Sequence, residues 1–114
     1  MWPDVNRVRI FIRPGVTDFR KQINGLISIA QYQMNKNPLN GDLFVFCSRD
    51  RKKLKVVYWD KNGFCMWQKR LESDRFPWPR SDDEVRTLNA DELGMLLEGI
   101  DFRNRFHSLE YRKI

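Results

Sequence analysis

Residues 54–71 constrain the fold more than any other stretch. Leu54, Val56, Val57, Tyr58 and Trp59 crowd β-branched, apolar and aromatic side chains into positions 54–59, a composition that suits a pleated, half-buried surface. Asp60-Lys61-Asn62-Gly63 follows, and an Asn-Gly pair accepts positive φ at low cost in a hairpin turn. Residues 64–71 return as a second strand that mixes Trp67 and Leu71 with Lys69 and Arg70. The chain leaves this hairpin through Phe76-Pro77-Trp78-Pro79, where proline excludes a central strand and favours an edge or an extended exit.

The neighbouring segments supply partners for the hairpin. Leu43-Phe44-Val45-Phe46-Cys47 is apolar without alternation, the pattern of a strand buried on both faces and therefore central. With the polar turn of residues 48–53 it extends the hairpin into a three-stranded meander over residues 43–71. Residues 8–12 predict a first strand, broken by Arg13-Pro14-Gly15, and residues 85–88 a short one. Thr17 is placed to cap a long helix over residues 17–35, with Asp18 in its first turn. Phe19, Ile23, Leu26, Ile27, Ala30 and Met34 would form its apolar face. Gly25 lies mid-helix, where close packing on the sheet would explain it. Asn89 and Glu92 have the spacing of a capping box, opening a short helix over residues 90–98 that Gly99 stops.

A length of 114 residues suits one domain. A charged fraction of 32% argues for a polar surface, and 13% aromatics is too much apolar area to leave solvated in a disordered chain. No run of 18 apolar residues predicts a membrane span. The segment Met1-Trp2-Pro3-Asp4 lacks the features of a signal peptide, so a cytoplasmic protein without membrane contact is expected. Cys47 and Cys65 fall on predicted strands and could be sheet neighbours. In a reducing compartment they are expected as two thiols rather than a disulfide.

Catalytic chemistry has little to stand on. The one histidine, His107, falls in the polar stretch after residue 102, and no HExxH, GxSxG, P-loop or GxGxxG pattern occurs. Asp18, Asp60 and Asp91 could be forced into a metal triad, yet each has a local explanation in a helix start or a turn. No enzyme activity, metal or cofactor is expected.

Charge is the stronger signal. Residues 49–80 hold 10 cations and 4 anions, so their excess equals the net +6 of the whole chain. Nucleic-acid binding needs cations that neutralise phosphates and release counterions. The candidate binding residues are Arg49, Arg51, Lys52, Lys53, Lys55, Lys61, Lys69, Arg70 and Arg75. Tyr58, Trp59, Phe64, Trp67, Phe76 and Trp78 interleave with them. These aromatics suit a sheet core better than base stacking, although both uses are open to them.

Several of these segments together resemble a known family. They are Val16-Thr17-Asp18-Phe19-Arg20-Lys21, Asn24-Gly25-Leu26, residues 38–46, the stretch 55–79 with its YWD, NGF and KRLE pieces, and residues 96–101. In this order, over about residues 8–102, they are similar to the TnpB accessory protein of insertion-sequence-sixty-six-type bacterial transposons, distinct from the RNA-guided nuclease that shares the name. Gln22 stands where glycine is common in that family. The resemblance implies a role in transposition beside a separate, larger transposase that carries the strand-transfer chemistry, and it brings no catalytic residues.

The expectation is therefore an α+β fold: a single domain over residues 1–102 and a C-terminal tail over 103–114. The domain would hold a twisted antiparallel sheet of about four or five strands, with the long helix on one face and the short helix at the sheet's end. The expected function is a non-catalytic accessory protein for DNA transposition that binds DNA, such as transposon ends, through the basic hairpin of residues 49–80. The alternative is a protein-interaction subunit that docks on the transposase without touching DNA. An exposed sheet edge leaves a homodimer open.

Overall fold

The computed structural model of the protein describes residues 3–99. The expected tail, the domain boundary before it, and His107 lie outside the described residues. Among the described residues, five strands and two helices follow one another. Strand β1 is Ile10–Ile12, β2 is Leu43–Cys47, β3 is Lys53–Asp60, β4 is Gly63–Arg70 and β5 is Arg86–Leu88. Helix α1 is Ile23–Ser28, prolonged by a π-helical turn over Ile29–Gln33, and α2 is Ala90–Leu97.

The strands form one sheet in the order β4-β3-β2-β1-β5. All five residues of β2 are buried, as its unbroken apolar run requires of the central strand. The meander is antiparallel throughout, with Val45 opposite Val56 and Val56 opposite Trp67. The β1–β5 pair is antiparallel as well. The exception to the expected antiparallel sheet is β1 with β2, which run parallel with Phe11 beside Phe44. The physical reason is the connection: residues 13–42 carry α1 across the sheet, and a helical crossover returns the chain in its original direction.

Both faces are covered. On one, Leu26, Ile29, Ala30 and Met34 pack over Phe11, Phe44, Phe46 and Val57. On the other, Leu93 and Leu96 of α2, with Phe76 and Trp78, pack over Ile10, Ile12, Val45, Leu54 and Val56. Helix α2 thus covers the face opposite α1 rather than the end of the sheet. Each fully buried Leu or Phe contributes on the order of 1.5–3 kcal/mol of transfer free energy. Tyr58, Phe76 and Trp78 are core residues, and Trp67 packs against the same core. Trp59 and Phe64 meet edge to face near the hairpin tip, 4.9 Å between centroids.

The two helices start differently. In α2 the Asn89 Oδ1 accepts from the Glu92 N–H at 2.8 Å, and the Asn89 N–H donates to Glu92 Oε1 at 3.1 Å, the expected capping box. Gly99 ends that helix region at φ 80°, a conformation open to glycine at little cost. Thr17, by contrast, caps nothing. Its N–H donates to the Cys47 carbonyl at 2.7 Å, it bridges Ser48 in parallel fashion, and its Oγ1 accepts from Arg13 Nη1 at 2.9 Å. Thr17 therefore continues the β1–β2 pairing, and α1 begins only at Ile23, behind Gln22, with no side-chain cap. The π turn, closed by the Met34 N–H on the Ile29 carbonyl, keeps Ile29 and Met34 on one buried face. A Cβ on Gly25 would meet the Lys21 side chain first, at 3.1 Å, its three nearest neighbours all being Lys21 atoms rather than the sheet. Cys47 on β2 and Cys65 on β4 are free thiols with β3 between them. Burial pushes the Cys47 thiol up to about 12.

Candidate nucleic-acid interface

One end of the sheet gathers three separate pieces of chain: the turn of residues 13–20, the loop of residues 48–53 and the strap of residues 71–81. Backbone bonds tie them together. The Leu71 N–H donates to the Lys52 carbonyl and the Phe76 N–H to the Arg51 carbonyl, each at 2.7 Å. The Gly15 N–H donates to the Pro79 carbonyl at 2.9 Å. The Trp78 indole N–H is shared between the carbonyls of Arg13 and Gly15, 2.9 Å from each. Gly15 has φ 78°, and a Cβ there would lie 2.7 Å from Ser81 Cβ, so the strap passes where only glycine fits.

The loop itself is a short, fixed turn. The Ser48 hydroxyl donates to Asp50 Oδ1 at 2.6 Å and accepts from the Lys53 N–H at 3.0 Å. Asp50 also accepts from the Lys52 N–H, and the Ser48 hydroxyl holds its carboxyl below the usual carboxylate range. With the backbone engaged in this way, side chains point from it as from a rigid support.

The nine candidate cations do not form one surface. Among the described residues, the side chains of Arg49, Arg51, Lys52 and Lys53 in the loop, and of Arg75 on the strap, have neither a hydrogen bond nor an ion pair. These five belong to one end of the sheet. Lys61 stands in the hairpin turn at the other end of β3, about 23 Å away at the usual strand rise. It adopts φ 53° itself, so the left-handed position of the turn falls on lysine rather than on Asn-Gly. The other three are engaged within the protein. Lys55 is 8% exposed, its Nζ 3.4 Å from the Phe19 carbonyl and 4.7 Å from that ring's centroid. Burial, and secondarily Lys53, lower its pKa. Lys69 Nζ donates to the Leu97 carbonyl at 2.6 Å, meeting the negative end of α2. Arg70 pairs with Glu72 at 3.0 Å.

Between the loop and the 17–20 turn lies a cleft of about 570 Å³ lined by Asp18, Phe19, Arg20, Ser48, Arg49, Asp50 and Lys53. Asp18 pairs with Arg20 at 2.6 Å, and that hydrogen-bonded guanidinium holds the Asp18 carboxyl well below the usual range. The contribution of residues 18–20 to this wall was not legible in the sequence, where Thr17 and Asp18 read as a helix start. The signal that places them there, the bridge from Thr17 to Ser48, exists only across the sheet. Among the described residues, no group of three or more His, Cys, Asp or Glu is arranged to hold a metal ion. No helix there is long and apolar enough to cross a membrane.

Comparison with known proteins agrees with the resemblance in the sequence. The chain is 38% identical over 104 residues to the uncharacterized protein y4hO of Sinorhizobium fredii, covering 91% of this chain and 90% of that one. It is 32% identical over 95 residues to the uncharacterized protein y4jC of the same organism, covering 83% and 81%. No solved structure matches significantly. The family described as IS66 Orf2 like protein matches residues 8–106, and the chain belongs to that family of transposition-associated proteins.

Proposed function

We propose that the protein is a non-catalytic accessory factor of DNA transposition. It acts in the cytoplasm beside a separate transposase and binds DNA through the 48–53 loop and Arg75. One observation supports this reading above others: Arg49, Arg51, Lys52 and Lys53 stand close together on a pinned backbone, and among the described residues none of their side chains makes a hydrogen bond or ion pair. Arg51 holds φ 60°, where a non-glycine residue costs about 1 kcal/mol or more.

Binding to a transposon-end duplex and to a scrambled duplex across a salt series tests this. Four phosphate contacts give a log–log slope of about −3.6, from about −0.9 per phosphate. The R49E/R51E/K52E/K53E variant is expected to abolish binding while keeping the wild-type circular dichroism spectrum. A flat salt dependence, or unchanged binding by that variant, overturns the reading. The second reading, a subunit that docks on the transposase without DNA, draws on the other end of the hairpin. There Met66 is 44% exposed on edge strand β4 beside Phe64 and Trp59. It predicts that M66D abolishes transposase capture while the loop variant does not.

A further inference from the structure

The cleft beside the loop has a wall that a duplex backbone does not explain. A rail for duplex phosphates calls for cations alone, since carboxylates repel phosphate. Here Asp18 and Asp50 stand among Arg20, Arg49 and Lys53, and both carboxyls are kept ionised by their hydrogen bonds. Both Asp18 oxygens accept from Arg20, and Asp50 Oδ1 accepts from Ser48 and Lys52, which leaves Asp50 Oδ2 as the acceptor for an N–H on a base edge. Phe19 lines the cleft as well, half-buried and packed against the helix-side core. Its ring is held from one side by the Lys55 ammonium, a contact that fixes its orientation. The cleft is open to solvent and, at about 570 Å³, has more room than a bare anion needs.

We infer that this cleft takes one nucleotide of an unpaired DNA strand, its phosphate on Arg49 and Lys53 and its base against Phe19. Paired bases are stacked inside the helix and cannot enter, so the cleft discriminates strand state rather than sequence. The inference rests on the DNA-binding reading and goes beyond it in assigning the form of DNA.

The test compares the full chain with a short single strand of mixed sequence and with the duplex made from it, by fluorescence anisotropy at one salt concentration. Wild type is expected to bind the single strand about fivefold or more tighter than the duplex. Phe19→Leu keeps the apolar volume and removes the ring. It is expected to weaken single-strand binding about fivefold or more, as loss of a stacking platform does, and to leave duplex binding unchanged. Phe19→Tyr keeps the ring and is expected to behave as wild type. In the wild-type protein, backbone amide resonances of residues 18–20 and 48–50 are expected to shift with the single strand and not with the duplex, a readout independent of any variant's folding. Equal affinity for the two forms, or full single-strand binding by Phe19→Leu, overturns the inference and leaves the DNA-binding reading standing. Binding of neither form overturns both.

Discussion

The interior of the β3–β4 hairpin and the loop that feeds it use the same residue type in opposite ways. Lys55 and Lys69 lie within the strands, and Lys52 and Lys53 lie two or three positions before Lys55. Side chains on a strand alternate between faces, and here both faces are covered. Lys55 is carried under the 17–20 turn, Lys69 toward the end of α2, and each ammonium reaches a backbone carbonyl. At the loop the cover is partial: Arg49 and Arg51 are exposed, Lys52 and Lys53 are half-buried, and among the described residues none of the four side chains has a hydrogen bond or ion pair. A charge count along the sequence therefore overstates the charge available to a partner. What matters is whether a second layer lies over the position.

The largest effect that bears on this contrast is expected at Phe76, which is fully buried in the strap behind the loop. Phe76→Ala should lower stability by about 3–5 kcal/mol in urea denaturation. A loss below 1 kcal/mol would mean that the loop keeps its place without the strap. Next, Lys69→Met should lower stability by about 1–2 kcal/mol, because the Leu97 carbonyl loses a charged donor at a helix end. Lys52→Met should stay within about 0.5 kcal/mol of wild type. Equal effects at the two positions would erase the distinction between the engaged and the free lysines.

Lys55→Met is expected to stay within about 1 kcal/mol of wild type, since an apolar replacement removes a desolvated charge along with its contacts. Its pH dependence is sharper than its size. The folded pKa of Lys55 lies below its ordinary 10.5, so between those values the unfolded chain binds more protons and stability rises with pH. Tyr58 and Cys47, both raised by burial, act in the opposite direction, because the folded chain keeps their protons longer. Wild type should therefore gain stability relative to Lys55→Met as pH climbs toward 10.5, and parallel curves would place Lys55 in solvent. The smallest effect belongs to Asp18, whose folded pKa is depressed below 3.8. Its contribution is present above that value and fades as pH falls through and below it. Asp18→Asn should flatten the acid limb of the stability curve slightly.

Much of the fold was legible in the sequence because its signals are local. The unbroken apolar run at Leu43–Cys47 could serve only a strand covered on both sides. The pair Asn89 and Glu92 carries its own hydrogen-bond partners three residues apart. What could not be read there depends on distant chain. Thr17 has the chemistry of a cap, but its N–H is drawn to the Cys47 carbonyl beside β1 and its hydroxyl accepts from Arg13. The parallel β1–β2 pair likewise follows from where α1 crosses, which no periodicity reports. Of the candidate site, the loop cations were legible as a run of like charge. The sorting of Lys55 and Lys69 into internal contacts was not, because the Phe19 and Leu97 carbonyls lie 36 and 28 positions away from the lysines they meet.

The position of β1 between β2 and β5 has a kinetic consequence. The meander closes through short connections, whereas Phe11 must find Thr87, 76 positions later. Loop-closure entropy makes such a pairing late. Folding should proceed from the hairpin outward, with the three-residue strands β1 and β5 locking last and opening first. In native-state hydrogen exchange the amides of β5 should lose protection well before those at the centre of β3, dividing the sheet into an early-forming half and a half that completes it.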